Sequence, residues 1–236
     1  MHERKISIDN KSNLRYDKCT ASMREEHALD KKERLSEFNR NNILFAAKEL
    51  FSKKGVDQTT MDEIAKKADY SKSTIYVYFK SKEEIFDCIV LEYYTLLRDG
   101  IEEALRNAKE FTDGYFAICN TLAELYTKYP LYFESILGEI KLVRDESNSV
   151  LFQIYTVGEQ INDIMENFLK TCISNGDIRS ELDSLFQTTF ILWGGICGII
   201  SLAQKKEKYI CYRSNVSKEE FMQNGFKLLL RSMLPS

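Results

Sequence analysis

The sequence predicts an all-α protein, on three grounds. Only 2 prolines and 10 glycines interrupt 236 residues, so few positions force the backbone out of a helix. Charged residues make up 29% of the chain and apolar residues 44%, in long stretches of Leu, Ile, Lys, Glu and Ala, types that helices favour. The apolar positions recur three and four residues apart, the period of one helix face, rather than alternating as in a strand.

Three segments follow from this pattern. Residues 1–29 are polar and hold no sustained period, which predicts a flexible N-terminal arm. Met23 is a second candidate start of translation, because MREEHALDKKERL leads straight into the first strong helix. Residues 30–82 form a small head, and residues 83–236 a larger body, with the helix that begins at Lys82 joining the two.

In the head, Asp30 and Ser36 both offer N-caps for a first helix, whose Ile43, Ala47, Leu50 and Phe51 share one face. Lys53, Lys54 and then Gly55 make a C-terminal stop. Thr60-Met-Asp-Glu63 has capping-box spacing and opens a second helix that buries Ile64, Ala65 and Ala68. Asp69-Tyr70 turns the chain, a third helix runs from Ser71 to near Lys80, and Ser81-Lys-Glu-Glu84 caps a fourth that reaches about Ala108. The body predicts helices over 112–129, 131–142, 146–174, 183–204 and 217–232, with Pro130 parting the first two and Asn175-Gly176 closing the third. Leu151, Ile154, Gly158, Ile161, Met165, Phe168 and Cys172 form a packing seam rather than a site.

Composition removes several function classes. The only histidines, His2 and His27, lie in the arm, so the body can hold neither a histidine-dependent triad nor a histidine metal site. No Gly-rich phosphate loop occurs, and no cofactor or metal is expected. The six cysteines stand far apart without a Cys-x-x-Cys pair, which fits reduced thiols in the cytoplasm. The N-terminus lacks the apolar core of a signal peptide, and the longest apolar run, Phe190 to Ala203, looks too short for a membrane span. Charge is unevenly placed: net +2 over residues 1–32, +3 over 33–82 and −8 over the rest, as for a DNA-binding head on an acidic body.

The second and third helices are short, joined by a tight turn, and carry small residues where they meet, which is helix-turn-helix geometry. A helical projection of the third turns Ile75 and Phe79 inward and Ser73, Thr74 and Val77 outward, with Tyr76 and Tyr78 on the flanks. Hydroxyls and one branched apolar group suit a groove-reading face, with Val77 placed for a thymine methyl. On spacing alone, a short capped helix in an ordinary bundle is an equal alternative.

The stretch from Ile43-Leu44-Phe45-Ala46-Ala47 through Leu50-Phe51, Gly55, Thr59-Thr60, Ile64-Ala65 and Ala68-Asp69-Tyr70-Ser71-Lys72-Ser73-Thr74-Ile75-Tyr76-Val77-Tyr78-Phe79 to Lys82-Glu83 resembles the N-terminal signature of TetR-family transcriptional regulators. The resemblance implies a homodimer that binds a palindromic operator in duplex DNA, in most members as a repressor, through Lys72, Ser73, Thr74, Tyr76, Val77 and Tyr78. It places Thr59, Thr60 and Lys82 at phosphates. Asp69, Tyr70 and Ser73 depart from the usual glycine, small aliphatic residue and glycine; aspartate tolerates the left-handed turn that the first position needs.

For the body the resemblance implies an effector cavity and a dimer interface built from the last two helices. Tyr115, Cys119, Phe133, Leu137, Phe152, Tyr155 and Trp193 are the candidate cavity residues, and an aromatic, largely uncharged wall implies a small hydrophobic effector. Glu134 and Glu139 are the candidate partners of a cationic one. The helix around Phe190–Ile200 is apolar on all sides and so needs cover. Ile191, Gly194, Gly195, Gly198, Phe221 and Leu228 are its candidate dimer contacts. Two other classes stay open: a DNA-binding dimer controlled by a protein partner, and an all-α enzyme built on carboxylates, the latter disfavoured by the missing histidines.

Overall fold

The computed structural model describes residues 10–138, 149–180 and 184–235, with side chains from residue 31 onward. Among the described residues every regular element is helical. The helices are α1 (Asn10–Lys54), α2 (Met61–Ala68), α3 (Lys72–Tyr78), α4 (Lys82–Asn107), α5 (Phe111–Lys128), α6 (Pro130–Phe133), α7 (Val150–Asn175), α8 (Leu185–Lys205), α9 (Glu207–Ser214) and α10 (Lys218–Arg231).

The expected arm is, from Asn10 on, the first turns of α1 rather than a separate loose segment. The chain holds neither proline nor glycine between residues 10 and 54, so nothing in it ends a helix before Gly55. There it ends as expected, on a glycine at φ +82° whose amide donates to the Phe51 carbonyl at 2.8 Å. Thr60, Ser71, Ser81, Ser149, Ser184 and Ser217 cap the helices that follow them, each oxygen accepting from an amide of the first turn.

In the head, α1, α2 and α3 close around Ile43, Ala47, Phe51, Ile64, Ala65, Ala68, Ile75 and Phe79. Helix α4 completes that core with Ile85 and Ile89 and then runs into the body between α5 and α7. Helices α8 and α10 pair along one side of the body.

Two body elements differ from expectation. The helix expected over 131–142 is one α-turn followed by a 3-10 turn at Glu134–Leu137, after which Gly138 is extended at ψ 175°; residues 139–142 lie outside the described ones. Glycine has no side chain to hold a helix against this exit. Between α8 and α10 lies α9, which periodicity does not reveal because none of its residues is buried; Asn215 ends it at φ 54°.

Helix α8 is longer than its apolar run, and by length and composition it reaches what a membrane span requires. Here one side of it, Leu192, Trp193, Ile196, Cys197 and Ile200, is buried in the body. Its contact with α10 depends on two glycines. A Cβ at Gly195 would stand 2.9 Å from the tip of Leu229, and one at Gly225 would stand 2.9 Å from both Cγ2 and Cδ1 of Ile199. Leu229 can swing away, but a β-branched Ile199 cannot. We therefore expect Gly225→Ala to destabilise the protein by about 1–3 kcal/mol, less the helix-propensity gain of alanine. Gly195→Ala should cost less, and urea unfolding of the two variants checks the order.

Candidate nucleic-acid interface and body cavity

The turn between α2 and α3 takes the geometry expected of it. Asp69 is left-handed at φ 61°, ψ 40°, and the Tyr70 amide donates to the Ala65 carbonyl at 3.0 Å. Tyr70, the unusual residue here, has a structural use: its hydroxyl donates to Asn39 Oδ1 of α1 at 2.8 Å. Asn39 Nδ2 in turn donates to the Tyr78 hydroxyl at 2.9 Å. One amide side chain on α1 thus holds both ends of the recognition helix.

On α3 itself, Lys72, Ser73, Tyr76 and Val77 are exposed, Val77 to 78%. An apolar side chain so open gains nothing from the fold, which leaves a binding partner as its use. Thr74 is half-buried, its hydroxyl 2.8 Å from the cap oxygen of Ser71, which also stands 2.8 Å from the Ser73 hydroxyl. Tyr78 turns back onto α1 and supports the helix rather than facing outward.

The expected phosphate residues are engaged within the head. Thr59 is fully buried and donates its hydroxyl to the Gly55 carbonyl at 2.8 Å, so its side chain is not on the surface. Thr60 gives its amide and hydroxyl to the Glu63 carboxylate at 2.9 and 3.0 Å, completing the capping box. Lys82 donates to the carbonyls of Val56 and Asp57 at 2.9 and 3.1 Å, tying α4 to the loop before α2. Lys72 pairs with Asp62 at 2.7 Å, and that hydrogen bond raises its pKa above the ordinary lysine value.

Two contributors escaped the sequence reading. Lys80 is exposed just past α3 while its amide donates to Glu84 at 2.6 Å; its position at the edge of the recognition helix is the signal that could have found it. Arg40 lies 4.4 Å over the Phe79 ring, donates to Cys88 Sγ at 2.9 Å and reaches the Tyr78 carbonyl at 3.5 Å. No sequence pattern announces that junction.

In the body, a cavity of about 340 Å³ opens between α4, α7, α8 and the turn after α6. Phe86, Val90, Tyr94 and Leu97 of α4 form one wall, Leu151, Ile154, Tyr155 and Gly158 of α7 a second, and Phe190, Trp193 and Gly194 of α8 a third. The Tyr94 hydroxyl donates to the Ser135 carbonyl at 3.0 Å and so fixes the turn that forms the floor. Burial raises the Tyr94 pKa, keeping that donor protonated. Of the expected cavity residues, Leu137, Tyr155 and Trp193 are on the wall.

The others are not. Tyr115 and Cys119 are on α5, across the core from the cavity; the Tyr115 hydroxyl donates to the Phe226 carbonyl at 3.0 Å, and burial pushes the Cys119 thiol up to about 12. Phe133 packs edge-on against Tyr126 with centroids 4.7 Å apart. Phe152 is half-buried on α7 beside the wall. Glu134 pairs with Lys205 at 2.6 Å, and Glu139 lies outside the described residues. The missed wall is mostly α4, whose apolar residues read simply as core.

The expected dimer contacts separate in two. Ile191 and Leu228 are each 70% exposed, and Gly194 and Gly198 have open space where a Cβ would stand. Gly195 instead faces Leu229 of its own chain, and Phe221 is half-buried. Phe186 and Leu202 add to the exposed apolar face. Among the described residues no cluster of metal-ligating side chains occurs.

Residues 43–89 match a family model described as bacterial regulatory proteins, tetR family. The chain is 27% identical over 134 residues to YhgD of Bacillus subtilis, an uncharacterized HTH-type transcriptional regulator, covering 57% of this chain and 66% of that one. It is 33% identical over 126 residues to FasR of Mycolicibacterium smegmatis, an HTH-type transcriptional activator, covering 49% of this chain and 58% of the relative. The chain thus spans between about half and two thirds of the length of these curated relatives. In overall fold it resembles FadR from Bacillus subtilis in complex with stearoyl-CoA, with a TM-score of 0.60 at 19% identity over 81% of this chain and 98% of that one.

The capping carboxylate at α2 makes the head sensitive to acid. The Lys54 ammonium first, then the amide and hydroxyl of Thr60, hold the Glu63 carboxyl at about 2, well below its ordinary 4.5. A depressed carboxyl contributes stability that is complete above the ordinary value and is lost as pH falls toward the folded one. The head should therefore lose stability between about pH 4.5 and 2, and Glu63→Gln should flatten that part of the curve in acid-unfolding measurements.

Proposed function

The chain belongs to the tetR family of bacterial transcriptional regulators and binds DNA, and from this we propose that it acts in the cytoplasm as a homodimer on a palindromic operator, represses from there, and is released by a small apolar effector. The observation that carries the effector reading is the double use of α4. Phe86 forms part of the cavity wall and also rests edge-on against Phe51 of α1, with centroids 6.0 Å apart. Two residues on, Cys88 meets Arg40 beneath the recognition helix. A ligand that shifts α4 shifts the head, and it can do so only by as much as it prefers the shifted state.

The open cavity favours a small effector over control by a protein partner alone, since a protein-controlled body has no need of an aromatic-walled space. Its size falls at the lower end for drug-like ligands. FadR from Bacillus subtilis holds stearoyl-CoA, and the apolar wall here suits an apolar group of similar character. The exposed residues of α3 carry base reading, with Lys80 and the Lys82 region toward the phosphates. Repression is the sign that follows when a bound dimer blocks a promoter; FasR is an activator, so a promoter fusion decides the sign.

Selection from random duplex DNA should enrich an inverted repeat bound by an even number of subunits; enrichment of no sequence at low salt would remove the operator reading. Tyr76→Ala or Val77→Ala should change the ranking of sequences. Lys80→Ala should weaken all sites alike and lower the slope of log affinity against log salt by about 0.9, the value for one phosphate contact. In the same binding assay, Phe86→Ala should leave operator affinity within about threefold while removing release by the effector, because the link to Phe51 is lost.

A further inference from the structure

The cavity and the exposed apolar face of α8 share residues. Phe190 and Gly194 line the cavity, yet Phe190 is 39% exposed and Gly194 has nothing within 4 Å of where a Cβ would stand. Trp193, next to Gly194 and on the same wall, is buried. Along α8 the wall therefore runs out of the body into open surface. That surface continues through Phe186, whose ring lies 4.6 Å from that of Phe190, to Ile191 and, on α10, Leu228.

What covers this surface must suit its charge and shape. From Leu185 to Ala203, α8 carries no charged side chain. A face that meets its own copy across a two-fold axis brings any charge near an identical one, and this helix offers none. Gly194 and Gly198 stand one turn apart on it with open space above both, a shallow trough that accepts an apolar side chain such as Ile191 or Leu228 of a second copy.

We propose that a second copy of this chain, seated on α8 and α10, supplies the missing wall of the cavity beside Phe190 and Gly194, so that filling the cavity and forming the dimer are coupled. The inference rests on the dimer reading given above and adds that the site is incomplete in one chain. An apolar ligand then binds the dimer more tightly than the monomer. By linkage it must tighten the dimer by the same factor per site.

The test uses the full chain and N-phenyl-1-naphthylamine, a neutral apolar probe that fluoresces when sheltered from water. Sedimentation gives the dimer dissociation constant with and without the probe, and fluorescence titration gives probe affinity. Ile191→Glu places a charge on an exposed position, so it should yield a folded monomer by circular dichroism. Gly194→Leu fills space that is open in one chain and should act likewise from within the trough. The wild-type dimer should bind the probe at least about tenfold more tightly than either variant, and saturating probe should lower its dissociation constant by a comparable factor. If a folded monomeric variant binds the probe as the wild type does, or the probe leaves dimerisation unchanged, the cavity is complete in one chain and the proposal fails while the dimer reading stands. A wild-type chain that stays monomeric, or partitions into phosphatidylcholine vesicles instead of dimerising, overturns the dimer reading and the proposal together. A wild-type dimer that binds no probe overturns the shared site alone.

Discussion

Arg40 occupies the one place where α1, the end of the recognition helix and α4 all meet. Its guanidinium covers the Phe79 ring, reaches the last carbonyl of α3 and donates to the Cys88 thiol. Around it, Asn39 holds Tyr70 and Tyr78, and Lys82 closes the loop before α2. A helix as short as α3 is not stable by itself in water. It keeps its orientation because these contacts, and the burial of Ile75 and Phe79, fix it to two longer helices. The direction in which Tyr76 and Val77 point is thus a property of α1 and α4 as much as of α3.

That dependence explains which parts of the site the sequence reveals. The caps at Thr60, Ser71 and Ser81 are local: each needs one side chain and an amide in the next turn, so spacing alone identifies them. Asp69 is legible for the same reason, because only a few residue types accept its φ of 61°. Thr59, Tyr78 and Lys82 were not legible in their actual roles. Each is polar and close to the expected DNA face, and only the three-dimensional path of α1 and the 55–57 loop turns them inward. In the body, the seam of α7 was visible as a period, but whether an apolar residue meets another helix or an empty space is set by the neighbours. Tyr115 and Tyr155 look equivalent in sequence, and they lie on different sides of the core.

The charges of the head are arranged with restraint. Lys72 is paired with Asp62, Lys54 with Glu63 and Lys67 with Glu49, all of them exposed. Exposed pairs of this kind contribute little to stability, and each is easily exchanged. A phosphate that arrives near α3 competes with Asp62 for Lys72, so a lysine held by a carboxylate in the free protein is positioned but not committed. The cost of breaking such a pair is small beside the release of counterions from DNA that drives binding. The weak surplus of positive charge in residues 33–82 therefore understates the attraction available once these pairs open.

Helix α8 shows how one apolar sequence can serve two surfaces. Its inner side packs on the body through Trp193, Ile196 and Ile200, and the glycine facing inward, Gly195, is needed there because Leu229 occupies the space. The other two glycines of the same run, Gly194 and Gly198, meet nothing in their own chain. Glycine in a helix interior costs about 0.5–1 kcal/mol relative to alanine, and at these two positions no contact within the chain offsets it. A helix that carries this cost twice on an exposed, uncharged face is accounted for by close approach of another backbone. The cavity wall ends at the same place, and for that reason the approach of a second chain and the binding of an apolar molecule belong to one equilibrium.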